Sequence, residues 1–537
     1  MIDEGARWWR DGVLYQIYPR SFADSNRDGV GDLRGIIGKL DHLAWLGIDG
    51  IWLNPVTPSP DKDWGYDVSD YKGIHPDLGT IQDAEDLIAE AGRRRIRVLF
   101  DLVPNHTSDQ HAWFQDALSG KGARYRDCYV WADPKEDGGP PNNWISVFGG
   151  EPGWELDEPS GQYYLHNFLR HQPDLNWWNE AVRDEFDDIL RFWFDKGVAG
   201  FRIDVAHAIV KDRELRDNTL TTNEDSKFYQ RVGQLPEYNM NRPETHEVLK
   251  RWRKVADEYE PHRILVGETY VLDLERLVEF YGQDDELNLA FNFPFIHADF
   301  DPKTIRETAE KTMSMIPPES WPVWTASNHD VGRFVRRWCE GDDAKVRCVL
   351  MVLLMIRGTP FLYYGDEIGM DAPEIAYEDL KDPVGLRFWP DDKGRDACRT
   401  PMQWTAQPEA GFTEPGVDTW LPLGDQRRAN VSAQRDDRAS VLWLTRDLIA
   451  LRREVGAPTQ EPYEPVTAPE GVWAWDRGPR WRVVINLSDA PVRVEAPEGQ
   501  IAIHTTRDWD GRAVRGRLDL GAWQGIVVDR AGGGGPG

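Results

Sequence analysis

The sequence predicts an α/β chain: a (β/α)8 barrel with a small domain inserted after the third strand and an antiparallel β domain at the carboxyl end. Three observations carry this expectation. Eight short β-rich runs ending in polar residues alternate with helical stretches, one interval between runs is too long for a connection, and the sequence changes character from about residue 456.

The eight runs are VLYQIYPRSF from Val13, GIDGIWLNPV from Gly47, IRVLFDLVPNH from Ile96, GFRIDV from Gly200, RILVGETY from Arg263, LNLAFNFPF from Leu287, PVWTASNHD from Pro322 and GTPFLYYGDE from Gly358. Segments such as LRGIIGKLDHLAWLG and AEDLIAEAGRRR lie between them, with apolar residues recurring at three and four positions, the period of an amphipathic helix. The barrel is therefore assigned to residues 1–106 and 174–455. Residues 107–173 are rich in Gly, Pro, Asn and Trp and read as an irregular inserted domain walling the barrel mouth. After the helix-forming run SVLWLTRDLIALRREV, alternating runs WRVVINLS, PVRVEA and GIVVD predict a sandwich-like β domain over residues 456–530. AGGGGPG at 531–537 reads as a flexible tail.

The 537 residues are 40% apolar and 29% charged, which suits a folded globular chain and excludes disorder. No apolar run approaches the roughly 18 residues of a spanning helix, and MIDEGARWWRDG has neither the basic start nor the apolar core of a signal peptide. Four scattered cysteines show no CxxC spacing, so a reducing cytoplasm is expected rather than a disulfide scaffold or zinc site. A net charge of −29 opposes nucleic acid and anionic lipid as partners and favours a neutral small-molecule substrate. The expected assembly is a monomer or weak homodimer. Most of the 25 tryptophans are expected in the core, with a few left to stack on sugar rings.

Chemistry-bearing residues end four of the runs: Asp101, Asn105 and His106; Arg202 and Asp204; Glu268; His329 and Asp330. The carboxyl ends of barrel strands share one face, so these residues converge on one mouth. A lone Asp or Glu at a strand end is usually a loop cap. Four carboxylates with an Arg and two His at matching positions are a site.

DLVPNH, GFRIDVAH, GETY and SNHD, in this order, resemble the four signature regions of the α-amylase family, glycoside hydrolase family 13. QPDLNW at Gln172–Trp177 and RTPMQW from Arg399 resemble the oligo-1,6-glucosidase and α-glucosidase branch. The resemblance runs from about Val13 to Trp404, and implies a retaining glycosidase with Asp204 as nucleophile, Glu268 as acid/base and Asp330 as the third, hydroxyl-binding carboxylate. It implies hydrogen bonds from His106 and His329 to the same sugar, Tyr66 stacked beneath it, and Phe168 and Gln172 among the binding residues. Arg202, two residues before Asp204 on the same strand face, is expected to keep that carboxylate ionised. Asp63 and Arg399 are expected to pair and seal the pocket beyond a terminal glucose. Val205, where many maltases have Thr, favours α-1,6 bonds, while Ala206 and His207 depart from the commonest pattern of that branch.

DSNRDGVGD places Asp24, Asn26, Asp28 and Asp32 at alternating positions, with Gly29 at the turn and the Val30 carbonyl available, like the first part of an EF-hand loop. Gly35 stands where that motif has its bidentate Glu. Family members hold a structural calcium or magnesium here, and a metal-free Asx-rich turn is the alternative. The expected activity is exo-acting release of terminal α-D-glucose from disaccharides and short oligosaccharides with α-1,6 or α-1,4 bonds, and no organic cofactor is expected. Alternatives that keep the same nucleophile and acid are a transglucosylase, a sucrose isomerase and a trehalose synthase. A non-catalytic barrel would lose the carboxylates, and a metal-dependent lyase would cluster metal ligands at the mouth.

Overall fold

The computed structural model describes residues 8–317, 319–455 and 462–531. Eight parallel strands form the barrel: β1 (Leu14–Ile17), β2 (Gly50–Leu53), β3 (Arg97–Leu102), β4 (Gly200–Ile203), β5 (Ile264–Gly267), β6 (Leu289–Ala290), β7 (Val323–Trp324) and β8 (Thr359–Tyr363). Each falls inside one of the eight predicted runs. They are hydrogen-bonded in the order β7-β8-β1-β2-β3-β4-β5-β6, with the seam between the two shortest strands, β6 and β7.

Alternation along the strands sorts side chains into two layers. Leu14, Trp52, Leu99, Ile264, Val266, Leu289, Val323 and Phe361 pack together as one cluster, filling the barrel interior. Their neighbours Tyr15, Ile17, Ile51, Leu53, Val98, Phe100, Phe201, Ile203 and Leu265 belong to a second cluster shared with the surrounding helices. The same parity turns Gln16, Asp101 and Arg202 inward. Register then fixes their height: Asp101 lies opposite Arg202, and Ile203 opposite Gly267. Asp204 and Glu268, each one residue further on, leave neighbouring strands at the same level.

The outer helices include Leu33–Leu46, Ile81–Arg93, Glu180–Asp195, Thr245–Ala256, Pro302–Met315, Asp343–Met355 and Val441–Glu454. Their starts follow sequence rules: Asp32, Asn179, Asp301, Asp342 and Ser440 cap with side-chain oxygens, and Thr80 with Asp83 forms a capping box. Close approach sets one glycine. A Cβ on Gly200 would lie 2.3 Å from the Ile264 carbonyl oxygen, so β4 and β5 could not keep this spacing with a larger residue.

Between β3 and β4 the chain leaves the barrel and forms a three-stranded antiparallel sheet of Trp131–Ala132, Trp154–Asp157 and Gln162–Leu165. At the carboxyl end six strands, β9 (Tyr463–Val466), β10 (Val472–Arg477), β11 (Trp481–Asn486), β12 (Val492–His504), β13 (Ala513–Leu520) and β14 (Gln524–Asp529), join in the order β9-β10-β11-β14-β12-β13. In place of two separate layers this is one continuous sheet, bent where β12 shifts register between Ala496 and Gly499 and between Ile501 and Ile503. One face, carrying Trp473, Trp475, Val483 and Ile485, joins the core of the barrel's outer layer. The start of the predicted β domain at 456–461 and the predicted tail, apart from Ala531, lie outside the described residues.

Nine large side chains with under 2% exposure are tryptophans, as the core reading expected. All four cysteines are buried and free. Among the described residues no helix is long and apolar enough to cross a membrane.

Candidate active site

Arg202 occupies the centre of the barrel mouth, 2% exposed, with its guanidinium 4.9 Å from the Trp52 ring. Nη1 donates to Asp101 at 2.8 Å and to Asp204 Oδ1 at 2.7 Å, while Nη2 lies 2.8 Å from Glu268 Oε2. One cation therefore holds three carboxyls that leave three adjacent strands. All three are at least nine-tenths buried, a costly arrangement unless charge is shared.

The consequence differs from the expectation that Arg202 simply keeps Asp204 ionised. Burial pushes the Asp204 carboxyl well above its ordinary range; Arg202 pulls it down, and Glu268 and Asp101 push it up. Asp101 is pushed up to about 7 by burial, against the pull of Arg202 and of the Tyr66 hydroxyl. A single positive charge does not satisfy three negative ones, so the cluster retains a proton.

Glu268 receives a second donor. The Val205 N–H lies 2.9 Å from Glu268 Oε2, the same oxygen that faces Arg202. Val205 has φ = 35°, a left-handed conformation that a β-branched residue rarely adopts. Next to it, the Ala206 N–H donates to the Glu268 carbonyl at 2.9 Å.

Tyr66 and His329 form the floor. Their rings stack at 5.4 Å, 9° from parallel. Gln16 donates to His329 Nδ1 at 2.9 Å, which leaves the ring hydrogen on Nε2, 2.6 Å from the Tyr66 hydroxyl and 3.1 Å from Asp330 Oδ2. The Tyr66 hydroxyl accepts from Asn54 at 2.8 Å and donates to Asp101 at 3.0 Å. Burial, reinforced by Arg399, Arg202 and Arg395 against Asp330, holds His329 neutral. His106 is also kept neutral by burial; its Nε2 is 2.9 Å from the Tyr66 carbonyl and 3.1 Å from the Gln172 amide.

The predicted Asp63–Arg399 pair is replaced by another. Arg395 reaches Asp63 at 2.8 Å, Asp330 at 3.1 Å and the buried Asp382 at 2.7 Å, over the Phe148 ring of the inserted domain at 5.4 Å. Arg399, fully buried, instead donates to Asp330 at 3.0 Å and to the His329 carbonyl at 2.9 Å. Geometry decides between them: Arg399 is tied to the His329 carbonyl and Asp330, while Arg395 is the arginine that reaches Asp63. For Asp330, burial works upward, but His329 and the guanidiniums of Arg395, Arg399 and Arg202 outweigh it and hold the carboxyl below its ordinary range.

Asp63, Tyr66, His106, Phe168, Asp204, Val205, Glu268 and Asp330 all line one cavity of about 450 Å3, together with Arg395. Arg202, His329, Arg399 and Gln172 stand behind that lining. The volume suits a disaccharide. Apolar residues contribute much of the lining as well, among them Val147, Phe148, Met240, Tyr270 and Val331. Sequence reasoning missed Arg395, Asp382 and Phe148; a second arginine four residues before RTPMQW was the available signal for the first.

The DSNRDGVGD loop folds around its own acidic side chains. Asp24 accepts from the N–H groups of Asn26, Arg27 and Gly29 and from the Thr413 hydroxyl, Asp28 accepts from Val30 N–H, and Asp32 accepts from Ser25 while capping the helix at Gly35. Elsewhere, Asp61, His75 and Asp77 come close enough to share an ion, but the Arg20 guanidinium already sits among them, 2.8 Å from Asp61 and 3.5 Å from Asp77.

An eight-stranded parallel barrel whose mouth sets three carboxyls on one guanidinium, beside a pocket of sugar size, defines an enzyme acting on glycosidic bonds. The chain belongs to the α-amylase family: residues 16–460 match its catalytic domain. It is a glycoside hydrolase. It is 44% identical over 469 residues, 84% of either chain, to a protein of Rhizobium meliloti described as a probable alpha-glucosidase. It is 39% identical over 495 residues to the oligo-1,6-glucosidase of Heyndrickxia coagulans, covering 85% of this chain and 87% of the other. Among solved structures it resembles an alpha-glucosyl transfer enzyme at 40% identity and a TM-score of 0.90, with 97% and 99% of the two chains covered. It also resembles a trehalulose synthase at 33% identity and a TM-score of 0.89, with 98% and 100% covered.

Two substitutions test the electrostatics. Asp101→Asn removes a negative charge that pushes Asp204 up, so the acid limb of the kcat/KM–pH profile should move to lower pH. An unmoved limb would show that Asp101 does not bear on the pair. Arg395→Gln strips Asp63, Asp382 and Asp330 of their shared cation. KM for a disaccharide should rise ~10-fold or more, with a destabilisation of about 3–5 kcal/mol from the carboxylate left unpaired; Arg399→Gln should not reproduce the loss of the Asp63 contact.

Proposed function

We propose that this chain is an exo-acting retaining α-glucosidase that releases terminal α-D-glucose from short oligosaccharides and disaccharides with α-1,6 or α-1,4 bonds. The observation that carries the reading is the shared guanidinium: Arg202 holds Asp204 and Glu268 on one cavity that Asp63, Arg395 and Asp330 close beyond a terminal sugar.

In the first step a carboxylate oxygen of Asp204 attacks the anomeric carbon while the glycosidic C–O bond breaks. Its Oδ1 is engaged by Arg202, which leaves Oδ2 to attack. The proton passes from Glu268 to the departing oxygen. In the second step Glu268 takes a proton from water, whose oxygen displaces Asp204 from the anomeric carbon, restoring both carboxyls. Asp330, kept anionic by three guanidiniums, accepts hydrogen bonds from sugar hydroxyls and tightens as the ring flattens. Tyr66 offers its ring to the sugar face.

Val205 lines the cavity beside the nucleophile, and its side chain supports α-1,6 preference within this reading. The second reading, glucosyl transfer or isomerisation by the same two carboxyls, is favoured by the apolar part of the cavity lining, which suits an organic acceptor as well as water. Product analysis with a disaccharide donor separates them: free glucose alone supports hydrolysis, and new glucosides support transfer. For the mechanism itself, a slow-turnover fluorinated glucosyl donor followed by peptide mapping should place one glucosyl unit on Asp204. A label on another residue, or none on an active enzyme, would sink the assignment.

A structural calcium or magnesium belongs to the proposal. Asp24, Asn26, Asp28, the Val30 carbonyl and Asp32 would hold it, and the loop's N–H groups converge on Asp24 as they do on the first ligand of an EF-hand. The ion would fasten the loop between β1 and the first outer helix, with no part in the reaction. Dialysis against a chelator should lower the thermal midpoint, and either ion at 100 times its Kd should restore about 2.7 kcal/mol. An unchanged midpoint would leave the loop as an Asx-rich turn.

A further inference from the structure

The residue after the nucleophile is usually weighed for its side chain, yet its backbone does something the side chain cannot. The chain leaves β4 at Ile203, passes Asp204 and turns sharply through Val205, whose φ of 35° is strained for a β-branched residue. The turn is tied from several sides. Ala208 N–H donates to the Val205 carbonyl at 2.7 Å, Asn241 N–H to the His207 carbonyl at 2.7 Å, and the buried Lys211 ammonium to the Ala208 carbonyl at 2.7 Å. Val205 and Ala208 pack on Met240, with Val147 and Phe168 of the inserted domain against them.

This turn directs two successive N–H groups at one residue. Val205 N–H meets Glu268 Oε2 at 2.9 Å and Ala206 N–H meets the Glu268 carbonyl at 2.9 Å. The neighbouring backbone allows the approach because residue 267 is glycine: a Cβ there would lie 3.3 Å from the Ala206 Cβ and 2.3 Å from a Leu287 methyl. With Arg202 Nη2 at 2.8 Å, both donors fall on Oε2. An oxygen that accepts from an amide and faces a guanidinium at 2.8 Å is a poor place for a proton, so the proton belongs on Oε1.

We infer that Val205 is a positioning residue for the acid/base: its left-handed backbone aims an N–H at Glu268 Oε2 and, with Arg202, reserves Oε1 for the proton delivered to the leaving group. The inference rests on the proposed role of Glu268. It binds the two steps of the reaction sterically, since the turn that presents the nucleophile also orients the acid. Branching at Cβ, held by Ala208 and Met240, stops the peptide from flipping away from Glu268.

The test compares a substrate that needs its leaving group protonated, maltose, with one that does not, α-glucosyl fluoride. Replacing the Val205 amide by an ester through incorporation of the α-hydroxy acid analogue of valine deletes the N–H and keeps the side chain. kcat/KM on maltose should fall about ten- to a hundredfold, as for one hydrogen bond to a charged group, while the fluoride stays within about twofold. Equal losses on both substrates, or no loss on maltose, would overturn the inference. Glu268→Gln is the control for the underlying reading: if it too lowers both substrates equally, the acid assignment fails. If it selectively lowers maltose while the ester does not, only the role of Val205 fails.

Discussion

Arg202 is the constraint on which the rest of the site depends. Its guanidinium is buried at the end of β4, and burying one charge is unfavourable unless its hydrogen bonds are met. The barrel meets them with three carboxyls, which overcompensates. The excess negative charge is the source of the chemistry, because it forces the carboxyls to share a proton instead of all ionising. An apolar substitute for the whole cluster would pack more cheaply and would do nothing. The register of the barrel makes the cluster possible: Asp101 opposite Arg202 and Ile203 opposite Gly267 bring the three acids to one level without any long side chain having to stretch.

A second tier supports the first. His329 and Tyr66 carry no net charge, but they pass hydrogen bonds between Gln16, Asn54, Asp101 and Asp330, so the floor of the pocket and the carboxylate cluster are parts of one network. Arg395 does for the far wall what Arg202 does for the mouth: one guanidinium among Asp63, Asp330 and Asp382. Asp330 receives both Arg395 and Arg399, which accounts for its remaining ionised while Asp204 is pushed the other way.

Much of this was legible in the sequence, and for a physical reason. Strand ends in a parallel barrel are fixed by alternation and by the single face on which loops carry function, so Asp101, Arg202, Asp204, Glu268, His329 and Asp330 could be placed together before any coordinates were known. What could not be read was distance across loops. Arg399 lies in the recognisable motif, yet the residue that reaches Asp63 is Arg395, because the short helix at Asp396–Cys398 sets the first arginine over the pocket and the second beneath it. Phe148 and Asp382 sit in irregular chain with no periodicity to announce them. Val205 was legible as a side chain; its left-handed backbone was not, since nothing in a valine signals positive φ.

The two walls of the cavity have different physics, and that difference bears on which molecule completes the reaction. The inner wall is charged and tied to the barrel by arginines, so it resists change. The outer wall is apolar and is built from the inserted domain and the turn after the nucleophile, including Val147, Phe148, Val205 and Met240. In the proposed mechanism, once the glucosyl unit is on Asp204 the departing group vacates the outer wall, and water competes there with any organic hydroxyl. Water gains little from an apolar surface, whereas a sugar face or other apolar body gains roughly 25 cal/mol for each Å2 it buries. In the proposed mechanism the balance between hydrolysis and transfer is therefore a property of the outer wall, while retention is a property of the inner one.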